Sequence, residues 1–141
     1  MLIPQEVREL IASGCPGHLV TLNPDGGPQV TLVWLGLDGD EVVVGHLPKN
    51  QKVKNILREP RVAVSIQSDT KNAMGLMEYA VLYGHARIEE GGAPELLQRL
   101  AEVYVGPGVK FPPMETPPTG YVTRIRVDRI GGVGPWASVR H

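Results

Sequence analysis

The chain has 141 residues, 42% of them hydrophobic, and a net charge of −1 at pH 7, which suits one soluble domain with its own core, residues 1–141. That charge balance gives no footprint for nucleic acid or an anionic membrane, and no apolar run is long enough to span a bilayer. The single cysteine, Cys15, can form no internal disulfide and reads as a structural thiol in a reducing, cytoplasmic compartment.

Ile3, Val7, Leu10 and Ile11 recur at helical spacing behind Pro4 and predict a first helix over 4–12, ended by Gly14 and Pro16. His18–Leu22 reads as a strand, Asn23–Pro28 as a turn, and Gln29–Leu37 as one continuous second strand. Asp38–Asp40 is a tight loop into a third strand, Glu41–Gly45, completing an antiparallel meander. A helix over 49–58 follows, with Val53, Ile56 and Leu57 as its apolar stripe and Pro60 as its stop. Val62–Ile66 is the fourth strand, and Ser68–Gly75 a polar loop. Tyr79–Ile88 is the fifth, where Gly84 marks a bulge or a close backbone approach. Pro94 opens a third helix with Leu96, Leu97, Leu100 and Val103 on one side. Residues 106–119 form a Pro-rich loop too long for a mere connector: a lid, an interface arm or a mobile segment. Tyr121–Ile130 alternates cleanly as the last strand. The sum is a mainly β (α+β) protein, a six-stranded antiparallel barrel with flanking helices.

Lys49, Lys52 and Lys54 stand at the start of the second helix. Free N–H groups and the positive end of the helix dipole favour an anion there, and ammonium groups add charge for a phosphate. The alternative is a solvated helix face. His18, His46 and His85 show no metal-ligand spacing.

Three stretches carry a resemblance to a known family. Thr21–Val30 is similar to its T-x-x-x-D-G-x-P-x-V hairpin, Lys52–Val62 to its K-x-x-N-x-x-x-D/N-P-R-V crossover, and Tyr79–Ala86 to its V-x-G-x-A strand. In order and spacing they resemble the split β-barrel of the pyridoxamine-phosphate-oxidase-like flavin-binding superfamily. Within it, the chain looks like the small flavin/deazaflavin oxidoreductases of the B group, which use F420 and sometimes FMN. The resemblance implies a homodimer with two cofactor sites at the subunit interface, and a conjugated small-molecule substrate.

Carried over residue by residue, the resemblance sets Gln29, Val30, Thr31, Leu32 and Val33 along the cofactor ring, partly through backbone groups. Leu47, Pro48, Lys49 and Asn50, with Lys52 and Val53 at the helix start, would hold the phosphate, Lys52 foremost. Asn50 stands where family members often have Arg, and Asn55 reads as a backbone brace. Met77 and Tyr79 match a segment that reaches the partner subunit's cofactor. Trp34 and Trp136 read first as hydrophobic anchors. No Asp or His stands out as a catalytic acid, so protons would come from solvent. The expected activity is hydride transfer between F420 and a conjugated small molecule. The alternatives are an FMN-binding oxidoreductase of the same fold, or a non-enzymatic haem- or ligand-binding dimer with His141 as a candidate axial ligand.

Overall fold

A computed structural model describes residues 1–137; His141 lies outside them. The elements run α1 (Gln5–Ala12), β1 (Gly17–Leu22), β2 (Pro28–Val33), β3 (Gly36–Asp38), β4 (Glu41–His46), α2 (Gln51–Arg58), β5 (Arg61–Lys71), β6 (Met77–Glu90), α3 (Ala93–Tyr104) and β7 (Tyr121–Val133). The strands form one antiparallel sheet in the order β2-β1-β5-β6-β7-β4-β3.

The first and last strands of that order, β2 and β3, are joined by Trp34 and Leu35 alone. Three chain steps from Val33 to Gly36 span at most about 10 Å, so the two sheet edges are held close together. The sheet therefore curls into a barrel with a seam between β2 and β3, a split barrel. The sequence reading of six strands is corrected to seven here. The run 29–37 does not continue as one strand, because Leu35 leaves the ladder. Its N–H donates to the Tyr104 hydroxyl at 3.0 Å, and that hydroxyl lies 3.2 Å from the Leu35 carbonyl. A side chain of α3 thus supplies what a neighbouring strand would have supplied.

Val7, Leu10 and Ile11 of α1 pack with Leu19, Val64, Leu82 and Ile125 in the main core, and Ile56 brings α2 onto it. A smaller cluster of Val43, Leu96, Leu100 and Val122 holds α3 on the other side. Two apolar positions of the predicted helix stripes face solvent: Leu57 is 57% exposed and Val103 51% exposed. Both sit near helix ends, beyond the reach of the sheet beneath. The predicted polar loop 68–75 is mostly strand, since β5 runs on to Lys71 and the turn occupies only Asn72–Leu76. Gly84 fulfils both expectations for it. The β6–β7 register shifts at Tyr83/Gly84, and a Cβ there would lie 2.2 Å from the Arg126 carbonyl oxygen.

Candidate functional site

The last residues of β2, the end of β4 and the start of α2 converge beside α3 around a cavity of about 340 Å³. That volume lies within the range of small-molecule sites. The lining is polar at Asn50 and Lys52, the latter over Thr31, and apolar at Val44, Leu97, Phe111 and Trp34, which follows Thr31 by three residues.

The polar part is built by local rules. Asn50 is the N-cap of α2, its side chain accepting from the Val53 N–H at 3.2 Å. This cap fixes the positive end of α2 at the cavity. Lys52 is half-buried, and its Nζ donates to Thr31 Oγ1 on β2 at 3.2 Å. Among the described residues no carboxylate lies within salt-bridge distance of it. Burial pushes its pKa below the usual lysine range. A partly desolvated cation with no counter-ion is a costly arrangement that an incoming anion relieves.

Behind it, Asn55 is fully buried and ties α2 to the β1–β2 hairpin. Its Nδ2 donates to Thr21 Oγ1 at 3.0 Å and Asn23 Oδ1 at 2.9 Å, while its Oδ1 accepts from Gln51 Nε2 at 2.8 Å. The expected bracing role is met, though by side chains of the hairpin. His46, at the end of β4, is 4% exposed and hydrogen-bonds through Nε2 to Thr123 Oγ1 at 2.7 Å. Burial, and secondarily the Lys52 charge, hold its pKa down to about 4, so it is neutral at physiological pH.

That depression has a consequence for stability. An unfolded histidine titrates near 6.5, so below that pH the unfolded chain takes up a proton that folded His46 refuses. Stability is fully present above pH 6.5 and falls as pH drops towards 4. The expected loss at pH 5 is about 2 kcal/mol. Urea melts of the parent and His46→Gln from pH 7 to 5 check this: the variant's stability should be flatter. Glu41, Glu59, Asp38 and Asp128, held below the usual carboxylate range chiefly by hydrogen bonds from Arg87, Arg61, Arg124 and His85 respectively, act at lower pH.

The structure brings together only part of the predicted site. Leu32, Val33, Leu47, Pro48, Asn50 and Lys52 line the cavity, and Thr31 touches Lys52. Gln29 lies further back, accepting from Thr21. Val30 and Leu32 are both exposed along β2, and of the two only Leu32 reaches the cavity. Val53 is wholly buried and its N–H is already capped. Lys49 lines a separate polar hollow with Glu90 and Tyr121. Arg58 donates to the Leu22 carbonyl, which commits it to the hairpin. Met77 and Tyr79 stand on β6 away from the cavity; Tyr79 is 38% exposed, and its carbonyl accepts from Trp136 Nε1 at 3.1 Å. Trp34, Phe111, Leu97 and His46 line the cavity without having been assigned there from sequence. Trp34 anchors the fold as expected, stacking on Tyr104 with centroids 5.4 Å apart, yet it also faces the cavity. No group of three or more His, Cys, Asp or Glu among the described residues could hold a metal ion.

The family model for pyridoxamine 5'-phosphate oxidase matches residues 3–134. The chain belongs to the pyridoxamine 5'-phosphate oxidase family. Solved structures agree in fold. An F420 reductase is 26% identical with a TM-score of 0.73, the match covering 92% of this chain and 98% of that one. A conserved hypothetical protein from Mycobacterium tuberculosis is 27% identical with a TM-score of 0.72, covering 94% and 84%. A putative pyridoxamine 5'-phosphate oxidase from Listeria innocua, 19% identical with a TM-score of 0.66 over 91% and 95%, shares the fold. No curated protein matches the sequence. Membership in this pyridoxamine 5'-phosphate oxidase family supports a flavin- or deazaflavin-type oxidoreductase class. Among the described residues no helix is long and apolar enough to cross a membrane.

Proposed function

We propose that this protein is an oxidoreductase that binds F420, with FMN as the alternative, and acts on a conjugated small molecule. The observation that carries the reading is Lys52, a half-buried ammonium with no carboxylate partner among the described residues, at the head of a capped helix and opening onto a cavity. The similarity to an F420 reductase favours the deazaflavin.

The residues present fit such a cofactor. Lys52 and the positive end of α2 would take the phosphate, with Asn50 keeping that helix end in place. β2 is an edge strand, so alternate N–H and C=O groups turn away from β1 and can meet the polar edge of a flat ring. When bound, the ring system supplies or accepts a hydride, and the protein contributes position and electrostatics. Neutral His46, held by Thr123, adds no second charge beside Lys52.

A charge-assisted contact to phosphate is worth about 1.5–3 kcal/mol. Lys52→Met keeps the aliphatic stem and removes the charge, so F420 affinity is expected to fall at least about tenfold. Fluorescence titration of F420, and absorbance titration of FMN, into parent and variant check this. An unaltered Kd for both cofactors removes Lys52 from the site and the reading with it. Tight F420 with weak FMN selects the deazaflavin; the reverse selects FMN.

A homodimer belongs to the same reading. Val30 and Leu32 on β2 are 56% and 61% exposed, and Tyr79 and Tyr83 on β6 are 38% and 39% exposed. The ladder pairs Val30 with Val20, Val20 with Ala63 and Ala63 with Tyr83, so these side chains share one sheet face. Exposed apolar side chains gathered on one sheet face mark an association surface. Sedimentation equilibrium should give a dimer for the parent and a monomer for Tyr83→Asp. A monomeric parent would remove this part of the reading.

A further inference from the structure

The long loop 106–119 is fixed against α3. The Gln98 side chain clips it twice: Oε1 accepts from the Phe111 N–H at 2.8 Å, and Nε2 donates to the Val109 carbonyl at 2.7 Å. Glu102, one turn on, accepts from the Gly108 N–H at 2.9 Å. These clips set Phe111 against Trp34, ring centroids 5.1 Å apart and planes tilted by 55°. Trp34 in turn lies flat on Tyr104, with an interplanar angle of 10°. Three rings thus form one rigid assembly, and two of them, Trp34 and Phe111, line the apolar part of the cavity.

We infer that Trp34 and Phe111 form the wall that receives the reactant, selecting a flat, conjugated and weakly polar molecule, while Lys52 serves the anionic cofactor. The inference rests on the oxidoreductase reading and adds to it a specificity-determining pair that the loop builds. The physical grounds are three. An aromatic wall offers π faces and carbon edges and few polar partners, so it discriminates by shape and stacking. Lys52 is bonded to Thr31, three residues before Trp34, so about 10 Å of extended chain separates the charged group from the aromatic wall within one cavity. The wall is held by hydrogen bonds and stacking, so it is in place before the reactant arrives and costs no ordering on binding.

The test uses menadione, a flat apolar quinone, as the probe. Trp34 and Trp136 are the two tryptophans of the chain, so in a Trp136→Phe background the emission reports Trp34 alone. Menadione is titrated into the full-length protein as purified, and again with saturating F420. Saturable quenching is expected. In that background Phe111→Ala should raise the menadione Kd about tenfold or more, a loss that corresponds to one aromatic contact. Phe111→Tyr keeps the ring and should stay near the parent value. Gln98→Ala releases the clip and should weaken menadione while the ring itself remains. None of the three should move the F420 Kd by more than about twofold. Quenching that never saturates, parent-like menadione affinity in Phe111→Ala, or F420 affinity falling in step with menadione overturns the inference. The Lys52→Met titration fails separately: it can remove the cofactor reading while the menadione series decides the wall alone.

Discussion

Gly120→Ala is expected to destabilise the protein by about 4 kcal/mol and to disturb the cavity as well. Gly120 has φ +67°, and an added Cβ would lie 2.3 Å from the His46 carbonyl oxygen and 2.6 Å from the Ala93 Cβ. An L side chain in the left-handed region costs about 1–2 kcal/mol. The clash adds about 1–3 kcal/mol, since backbone and not a flexible side-chain tip must move. The place matters as much as the size. Gly120 closes the loop onto the start of α3: its carbonyl accepts from the Gly91 N–H at 2.7 Å, and the Thr119 carbonyl accepts from Ala93 at 3.1 Å. The residue it would push is His46, whose ring and neighbours Leu47 and Pro48 line the cavity. Urea unfolding checks the stability term, and F420 titration the second. A loss under about 1 kcal/mol would show that the junction relaxes freely.

Asn55→Ala is expected to cost about 3 kcal/mol, out of proportion to the few atoms removed. Thr21 is 1% exposed and Asn55 fully buried, so water cannot replace the lost bonds without opening the packing. Thr21 Oγ1 keeps only its 3.3 Å contact to Gln29, and Asn23 Oδ1 loses a donor at 2.9 Å. The same change frees α2 from the hairpin whose second strand carries Thr31, so the grip of Lys52 on Thr31 should loosen. Reduced cofactor affinity should therefore accompany the lower urea midpoint. Full affinity in a destabilised Asn55→Ala would separate the brace from the site.

Helix α2, its stop before Pro60 and the strand that follows were legible because stripe and breaker coincide locally, while the start moves from the predicted 49 to Gln51 because Asn50 caps the helix. Gly84 was legible as a bulge because a glycine inside a strand has few other uses. The break at Trp34–Leu35 was not, since the hydroxyl that replaces the ladder comes from Tyr104, 69 residues away from Leu35. Nothing in the apolar run 29–37 announces that event. Phe111 was equally hidden. A lone aromatic in a Pro-rich loop gains its meaning from Gln98, which fixes where the loop lies. At the head of α2 the basic residues were visible as a group, but only geometry separates Lys52, turned inward to Thr31, from Arg58, spent on the Leu22 carbonyl. Val53 shows the same limit. Adjacent in sequence to Lys52, it points into the core because one step along a helix turns a side chain by about 100°.

The three residues of β3 cover only Glu41–Val43 of β4, and the cavity opens in the gap left between β2 and the Val44–His46 end of β4. A full ladder across that gap would strengthen the cylinder and abolish the cavity at once, so rigidity and occupancy compete for the same backbone atoms. An occupant lying against β2 and reaching α2 then works as a missing stave. It should raise the melting temperature by closing the weakest joint, with an increment that grows with its free concentration above Kd.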